Sequence, residues 1–145
     1  ICRILDETGL SPRDLEVEVT ENIISSDLAT AAERFDELKR IGISIAIDDF
    51  GTGISSLRNL QRLPIDRLKI DHTFMQGLAT QKDAAPIIKT IIGMAHNLDL
   101  RVIAEGVETN EQRDFLHQQG CQEVQGYYFS RPVPAEEFRK LLNTL

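Results

Sequence analysis

Short apolar runs alternate with stretches of helical periodicity along the whole chain. The segment 15–20 alternates apolar and polar residues, and the segment 43–47 is a run of β-branched and small apolar residues, so both predict strands. Further strands are predicted at 67–70, 101–104 and 123–125. Apolar residues three and four positions apart predict helices at 1–8, 27–41, 56–63, 83–98 and 110–119, and after Pro134. The stretch 72–82 is polar and contains Gly77, and no helix is predicted there.

A strand followed by a helix, five times over, predicts a parallel sheet with right-handed crossovers. Polar residues stand at the carboxyl ends of the predicted strands, which is typical of the active face of a (β/α)8 barrel. An open doubly wound sheet usually carries a glycine-rich phosphate loop after its first strand, and this sequence has none. A whole barrel takes about 250 residues. The 145 residues therefore predict an α/β partial barrel with about five parallel strands, so about three further strands are either missing or supplied from elsewhere.

Composition narrows the class of protein further. The net charge of −7 argues against binding to a DNA or RNA duplex, because duplex binders neutralise phosphates with basic residues. The two cysteines, Cys2 and Cys121, have no zinc-site spacing, and a reducing, cytoplasmic location is expected. No apolar run is long enough for a membrane span, and the N-terminus does not resemble a signal peptide. The chain lacks an initiator Met, so we expect a longer parent protein, which a segment outside this sequence could anchor to a membrane.

Carboxylates dominate the predicted active face. The polar residues that end the strands are Glu18, Asp48, Asp49, Lys69, Asp71, Glu105 and Gln125. Crowded carboxylates repel one another, and divalent cations relieve that repulsion. Oxygen ligands favour Mg²⁺ or Mn²⁺, and a two-metal site suits in-line displacement at phosphorus. Lys69 would be a fixed cation that orients the water or a phosphate oxygen.

Other readings of these residues stay open on the sequence alone. Asp48 and Asp49 could be one helix-capping and one surface residue of an ordinary turn, and Asp71 could cap the following turn. Lys69 could form a Schiff base, although its acidic neighbours disfavour the neutral amine, or it could be a surface lysine. The three histidines lack metal-site spacing and are interpreted as surface or helix-face residues, and Cys121 as a small core or surface residue.

Five motifs in order resemble the EAL domain, a bacterial family of cyclic di-GMP phosphodiesterases. They are EVTEN at 18–22, DDFGTGISSL at 48–57, LKID at 68–71, IAEGVET at 103–109 and QGYYFSRPVP at 125–134. The resemblance covers essentially the whole chain, and it implies that residues 1–145 are the C-terminal portion of an EAL domain whose first strands are missing. It implies a (β/α)8-like barrel with one antiparallel strand, and Mg²⁺- or Mn²⁺-dependent hydrolysis of cyclic di-GMP to linear pGpG.

The resemblance also implies roles for single residues. Glu18 is similar to a metal-ligand Glu, Asp48 and Asp49 to a metal-bridging and metal-ligand pair, and Asp71 to a site carboxylate. Lys69 matches the Lys that positions the attacking water. Glu105 matches a Glu that acts as a general base or supports the second metal. Gln125 matches a Gln near the water and phosphate.

A loop associated in the family with metal binding and dimer contacts follows Asp49. Glu21 matches the Glu that anchors this loop, although by itself it could be an ordinary acid at a helix start. The loop residues are Phe50, Gly51, Thr52, Gly53, Ser55 and Ser56.

The sequence departs from the family at its start. The Glu-Ala-Leu signature and an Asn on the next strand, each a metal ligand in the family, have no counterpart here. Ile54 stands where an aromatic is common, and Arg131 where Lys is common. We therefore expect the chain alone to be weakly active or inactive. A homodimer is expected, and the parent could carry an upstream sensor or GGDEF-type domain. The alternatives are a module that binds cyclic di-GMP without cutting it, and a dimerisation unit.

Overall fold

A computed structural model describes residues 1–21, 28–51, 57–80 and 83–142. Its strands are β1 (Glu16–Thr20), β2 (Ser44–Phe50), β3 (Arg67–Ile70), β4 (Arg101–Ala104) and β5 (Glu123–Val124). Its helices are α1 (Cys2–Thr8), α2 (Leu28–Arg40), α3 (Leu57–Leu60), α4 (His72–Thr80), α5 (Ala84–Asn97), α6 (Asn110–Gln118) and α7 (Ala135–Leu142), with a short 3₁₀ turn at Pro12–Asp14.

The strands form one open parallel sheet in the order β1-β2-β3-β4-β5. This confirms the predicted alternation and the predicted partial barrel. All strand pairs in the described ranges are parallel, so the antiparallel strand implied by the resemblance is not among them. The register between β2 and β3 shifts between Ile47 and Phe50, which is where the paired acids Asp48 and Asp49 lie.

The two faces of the sheet differ in chemistry. One face is apolar and packs under the helices, with Ile45, Leu68 and Val102 fully buried. The other carries charged side chains and is concave: Arg67 of β3 forms ion pairs with Glu16 of β1 and Glu123 of β5, each two strands away. The main core therefore lies between sheet and helices, and the concave face is left for polar chemistry.

Helix α5 carries the longest apolar stripe, and Ile88, Ile91, Ile92 and Ala95 are buried there as its periodicity predicts. Helix α6 begins with a capping box, in which the side chains of Thr109 and Gln112 each form a hydrogen bond with the other residue's backbone. Cys121 is buried, and its thiol donates to the carbonyl oxygen of Glu123. Burial raises the pKa of that thiol to about 11, so it stays protonated at neutral pH.

One element was missed from the sequence. The stretch 72–82, predicted to be non-helical, contains α4 over His72–Thr80. Asp71 caps this helix, because its carboxylate accepts hydrogen bonds from the backbone N–H and the hydroxyl of Thr73. Met75 is fully buried on its inner side. Gly77 does not break the helix, since the cap and the packing outweigh its low helix propensity of about 1 kcal/mol.

Two boundaries differ from the prediction by three residues, and others by a single residue. Strand β2 runs three residues further, to Phe50, because the parallel pairing with β3 resumes at Phe50 after the register shift. In the described ranges α3 is a single turn, Leu57–Leu60. None of the helices that the structure describes is long and apolar enough to cross a membrane.

Candidate active site

A buried lysine lies at the centre of the concave face. Lys69 of β3 places its Nζ 2.7 Å from Glu18, 3.0 Å from Asp48 and 2.8 Å from Glu105. These carboxylates come from β1, β2 and the end of β4, so the parallel sheet brings together residues that are far apart in sequence. The Lys69 side chain is only 5% exposed, which excludes the reading of a surface lysine.

The carboxylates keep this lysine charged. Burial by itself would lower the pKa of Lys69, but contacts with Glu105, Glu18 and Asp48 outweigh burial and raise it. A protonated amine has no free electron pair, so these surroundings disfavour a Schiff base and favour a fixed cation.

Three carboxylates converge beside the lysine. Oxygens of Asp48, Asp49 and Glu105 all lie within 4.8 Å of one another. The Oδ1 atom of Asp48 is buried and accepts no aligned hydrogen bond from the described residues, although the Lys69 ammonium lies 3.0 Å away. A buried carboxylate oxygen without a hydrogen bond fits a ligand of a divalent cation. These residues therefore fit the predicted metal site.

The backbone of Asp49 is in the left-handed region, with a φ of 54°. Because of this conformation at the register shift, the side chains of Asp48 and Asp49 can both lie at the same edge of the sheet. The pKa of Asp49 is raised, first by burial and then by repulsion from Asp48 and Asp71. A cation bound beside Asp49 would relieve that repulsion.

Asp71 has a different environment from Asp49. Burial would raise the pKa of Asp71, but the hydroxyl and N–H of Thr73 outweigh burial and lower it. Its Oδ2 atom lies 3.2 Å from His72 Nδ1. Asp71 therefore caps α4 and also lies next to Asp49. The position is compatible with both interpretations of the sequence, a cap of the following turn and a carboxylate of the site.

Glu21 contacts the loop that it is predicted to anchor. It is buried, and its carboxylate accepts a hydrogen bond of 3.3 Å from the N–H of Gly51. Gly51 has a φ of 99°, and a Cβ there would lie 2.8 Å from the ring of Phe74, so this position requires glycine. The remaining predicted loop residues Thr52, Gly53, Ser55 and Ser56 lie outside the described residues.

Gln125 lies at the same edge, just after β5. Its N–H donates to the carbonyl oxygen of Ala104, which holds the segment against β4. Glu105 and Gln125 line a groove of about 370 Å³ together with His72, Gln76, Glu108 and Tyr127. The sequence did not predict that these last four residues belong to the site. The only signal in the sequence was their position close after predicted strand ends.

The family model of the EAL domain matches residues 1–132. The chain belongs to the EAL domain family. The predicted fold and the predicted family are therefore confirmed.

Named relatives share the EAL domain over nearly all of this chain. The cyclic di-GMP phosphodiesterase NbdA of Pseudomonas aeruginosa is 43% identical over 138 residues, which cover 95% of this chain and 18% of NbdA. The signaling protein YkoW of Bacillus subtilis is 45% identical over 138 residues, covering 95% of this chain and 17% of YkoW. The chain thus spans less than a fifth of the length of these two relatives.

Solved EAL structures superpose closely on the described fold. A complex of the PaMucR phosphodiesterase with c-di-GMP gives a TM-score of 0.92 at 42% identity, covering 94% of this chain and 56% of that chain. The EAL domain of Mycobacterium smegmatis DcpA gives 0.90 at 37% identity, covering 98% and 64% respectively.

Proposed function

We propose that this EAL domain is a metal-dependent phosphodiesterase that hydrolyses cyclic di-GMP to linear pGpG. The observation that carries the proposal is the contact of the buried Lys69 ammonium with Glu18, Asp48 and Glu105, beside the oxygens of Asp48, Asp49 and Glu105. The name of the relative NbdA and the c-di-GMP complex of PaMucR support the choice of substrate.

The residues at the edge of the sheet would share the binding of Mg²⁺ or Mn²⁺. Asp48 and Asp49 would be the main ligands, with Glu18 and Asp71 completing or supporting the site. A bound divalent cation supplies Lewis-acid polarisation of the phosphoryl group and lowers the pKa of a coordinated water.

The remaining side chains would orient water and move protons. Lys69, held charged by its carboxylates, would position the attacking water or a phosphate oxygen. Glu105 lies 2.8 Å from Lys69 Nζ, and it would accept the proton of that water. Gln125 would hold the water or the phosphate by hydrogen bonds. Glu21 would hold the start of the loop at Gly51, a loop that the family resemblance associates with metal binding and dimer contacts.

The test compares two aspartates with the same backbone conformation. Asp49 and Asp99 have φ values of 54° and 56°, and Asn tolerates this region as Asp does. The protein is expressed from its complete reading frame, freed of metal with a chelator, and incubated with cyclic di-GMP and Mg²⁺ or Mn²⁺. We expect Asp49→Asn to reduce the formation of pGpG by about 100-fold or more, by analogy with loss of other transition-state charge stabilisation.

The exposed Asp99 provides the matched control. Asp99→Asn is expected to keep wild-type turnover. Pure wild-type protein that makes no pGpG with either metal would refute the proposal. Binding of cyclic di-GMP without product would point instead to a non-catalytic binding module. Full turnover by Asp49→Asn would refute the assignment of the metal ligands.

We further propose a cytoplasmic location and assembly as a homodimer. The cysteines are free in the described structure, which suits a reducing compartment. A GGDEF-type domain in the same protein is also proposed, since the relative MucR of Pseudomonas aeruginosa is named a bifunctional diguanylate cyclase/cyclic di-GMP phosphodiesterase. The 145-residue chain by itself is proposed to be weakly active or inactive.

A further inference from the structure

We propose that the first turn of α6 positions the active site, with Gln112 as its main positioning residue. We call this set of side chains, Asn110, Gln112 and Arg113, the α6 clamp. It holds the segments that follow β3, β4 and β5 in one mutual arrangement. The expected change in metal affinity does not depend on the proposed function. Only the expected change in turnover rests on it.

The clamp first holds the segment after β4. Gln112 Oε1 accepts hydrogen bonds from the N–H groups of Glu108, at 2.7 Å, and Thr109, at 3.1 Å. In return, Thr109 Oγ1 accepts one from the N–H of Gln112 at 3.3 Å. Glu105 lies three residues before Glu108, so this capping box fixes the end of the short segment that presents Glu105.

The same side chain also reaches a second element. Gln112 Nε2 donates a hydrogen bond of 2.9 Å to the carbonyl oxygen of Met75 in α4. Helix α4 begins directly after Asp71, and Met75 is fully buried. Gln112 thereby links the Glu105 segment to the helix whose start is fixed by Asp71.

A close approach near the other end of the segment complements this link. Gly106 has a φ of 71°, and a Cβ there would lie 2.6 Å from His72 Cβ. The segment from Glu105 to Thr109 therefore packs closely against α4 at Gly106, and Gln112 links the segment to α4 by hydrogen bonds. Two attachments fix the orientation of a short segment better than one, because a single contact leaves it free to pivot.

The clamp holds the segment after β5 through a tyrosine. Tyr128 OH donates to Asn110 Oδ1 at 2.6 Å and accepts from Arg113 Nη1 at 2.7 Å. The backbone N–H of Tyr128 donates to the carbonyl oxygen of Val107, and that of Val107 donates to Gln125. The segment that carries Gln125 is therefore tied to the same helical turn as the segment that carries Glu105.

A helix cap alone does not require this arrangement. The capping box uses only the acceptor atom of Gln112, whereas the bond to Met75 uses its donor and joins two separate elements. A glutamate at this position would keep the acceptor and lose the donor. The Glu variant therefore separates capping from positioning.

The experiment measures stability, metal affinity and turnover of Gln112→Glu and Gln112→Ala in the protein expressed from its complete reading frame. Gln112→Glu should keep its Tm within about 3 °C of wild type, since the cap is retained. Its affinity for Mn²⁺, titrated by electron paramagnetic resonance, should fall about 10-fold, as when outer groups that orient metal ligands are lost. With cyclic di-GMP, kcat should fall while KM changes little.

Two further variants make the test specific. Gln118→Glu introduces the same charge in the same helix at an exposed position, and it should match wild type in all readouts. Tyr128→Phe removes both hydroxyl bonds but keeps the ring, and it should lower kcat without changing the affinity for Mn²⁺.

The results decide between positioning and stability. Wild-type Mn²⁺ affinity in Gln112→Glu, or a loss of affinity that only follows the loss of Tm in both Gln112 variants, would overturn the inference. A wild-type protein that binds no Mn²⁺ at millimolar concentration would also overturn it. If wild type binds Mn²⁺ but makes no pGpG, the proposed function fails, and the affinities still decide the role of Gln112.

Discussion

At the scale of single residues, the site depends on an unequal balance of charge around Lys69. One ammonium contacts three carboxylates, and Asp49 and Asp71 add further negative charge close by. Burial, and after it repulsion from Asp48 and Asp71, raises the pKa of Asp49, which agrees with an excess of negative charge around Lys69. A divalent cation would supply the missing positive charge, which is why stability and metal binding should both depend on Lys69.

Replacing Lys69 by Met should therefore destabilise the fold and abolish turnover. Removing the ammonium leaves Glu18, Asp48 and Glu105 without their cation, at an expected cost of about 1–3 kcal/mol in the free energy of unfolding at pH 7. Urea denaturation measures that cost. Exposed Lys89 is the control, and Lys89→Met should change the free energy of unfolding by less than about 0.5 kcal/mol.

The pH dependence of this difference follows from the raised pKa of Lys69. The folded state holds the proton more tightly than the unfolded state, whose pKa is near the ordinary 10.5. The stabilisation by Lys69 is therefore complete below pH 10.5 and is lost as the pH rises through the folded-state pKa. A stability difference between wild type and Lys69→Met that was present at pH 7 and had disappeared by about pH 9 would contradict this assignment.

At the scale of elements, the site is built where strands end and helices begin. Asp71 directly follows β3 and caps α4, and Glu105 directly follows β4, just before Gly106 turns the chain against His72. The turn at Gly106 is possible because glycine adopts positive φ and has no Cβ. The geometry of the elements is thus set by a few local contacts at the same edge of the sheet.

Gly106→Ala tests this dependence, and Gly93→Ala provides a control of opposite sign. Alanine at Gly106 would be strained at positive φ and would clash with His72, so we expect a loss of about 1–3 kcal/mol in stability and a loss of turnover. Gly93 lies within α5 with open space around its Cα, so alanine there should stabilise the protein by about 0.5–1 kcal/mol. Thermal denaturation of both variants measures the two effects, and equal shifts would contradict the explanation.

At the scale of the whole molecule, β1 and β5 are the edge strands of the sheet that the described residues form, and exposed apolar groups lie near both. Ile1, Ile4 and Leu10 are exposed around α1, and Tyr127, Phe129 and Phe138 are exposed after β5. Apolar surface of this kind beside open sheet edges favours association with another chain or segment.

The 145-residue chain on its own should therefore self-associate. Sedimentation velocity should show a mass that grows with protein concentration, and Ile4→Glu or Phe138→Glu should reduce that growth. Ile87 is similarly exposed but lies on α5 over the centre of the sheet, so Ile87→Glu is the control. A concentration-independent monomer would contradict this expectation.

The sequence predicted the sheet well because its signals are local. Strands β3 and β4 coincide with their predicted bounds, since each is a short segment with apolar residues between polar turns. It did not predict α4, because the possible cap at Asp71 was assigned to a turn and the burial of Met75 depends on partners that the helix pattern does not show. Residues of the groove such as His72 and Tyr127 were missed for the same reason.

The sequence by itself determined the alternation of strands and helices, the family and the acidic residues at the strand ends. Only the tertiary structure decided that Lys69 is a buried cation between three carboxylates and that Gln112 joins two elements. The physical reason is distance along the chain. Periodicity and motifs reflect neighbouring residues, whereas charge compensation and hydrogen bonding depend on residues that meet only after the parallel sheet has formed.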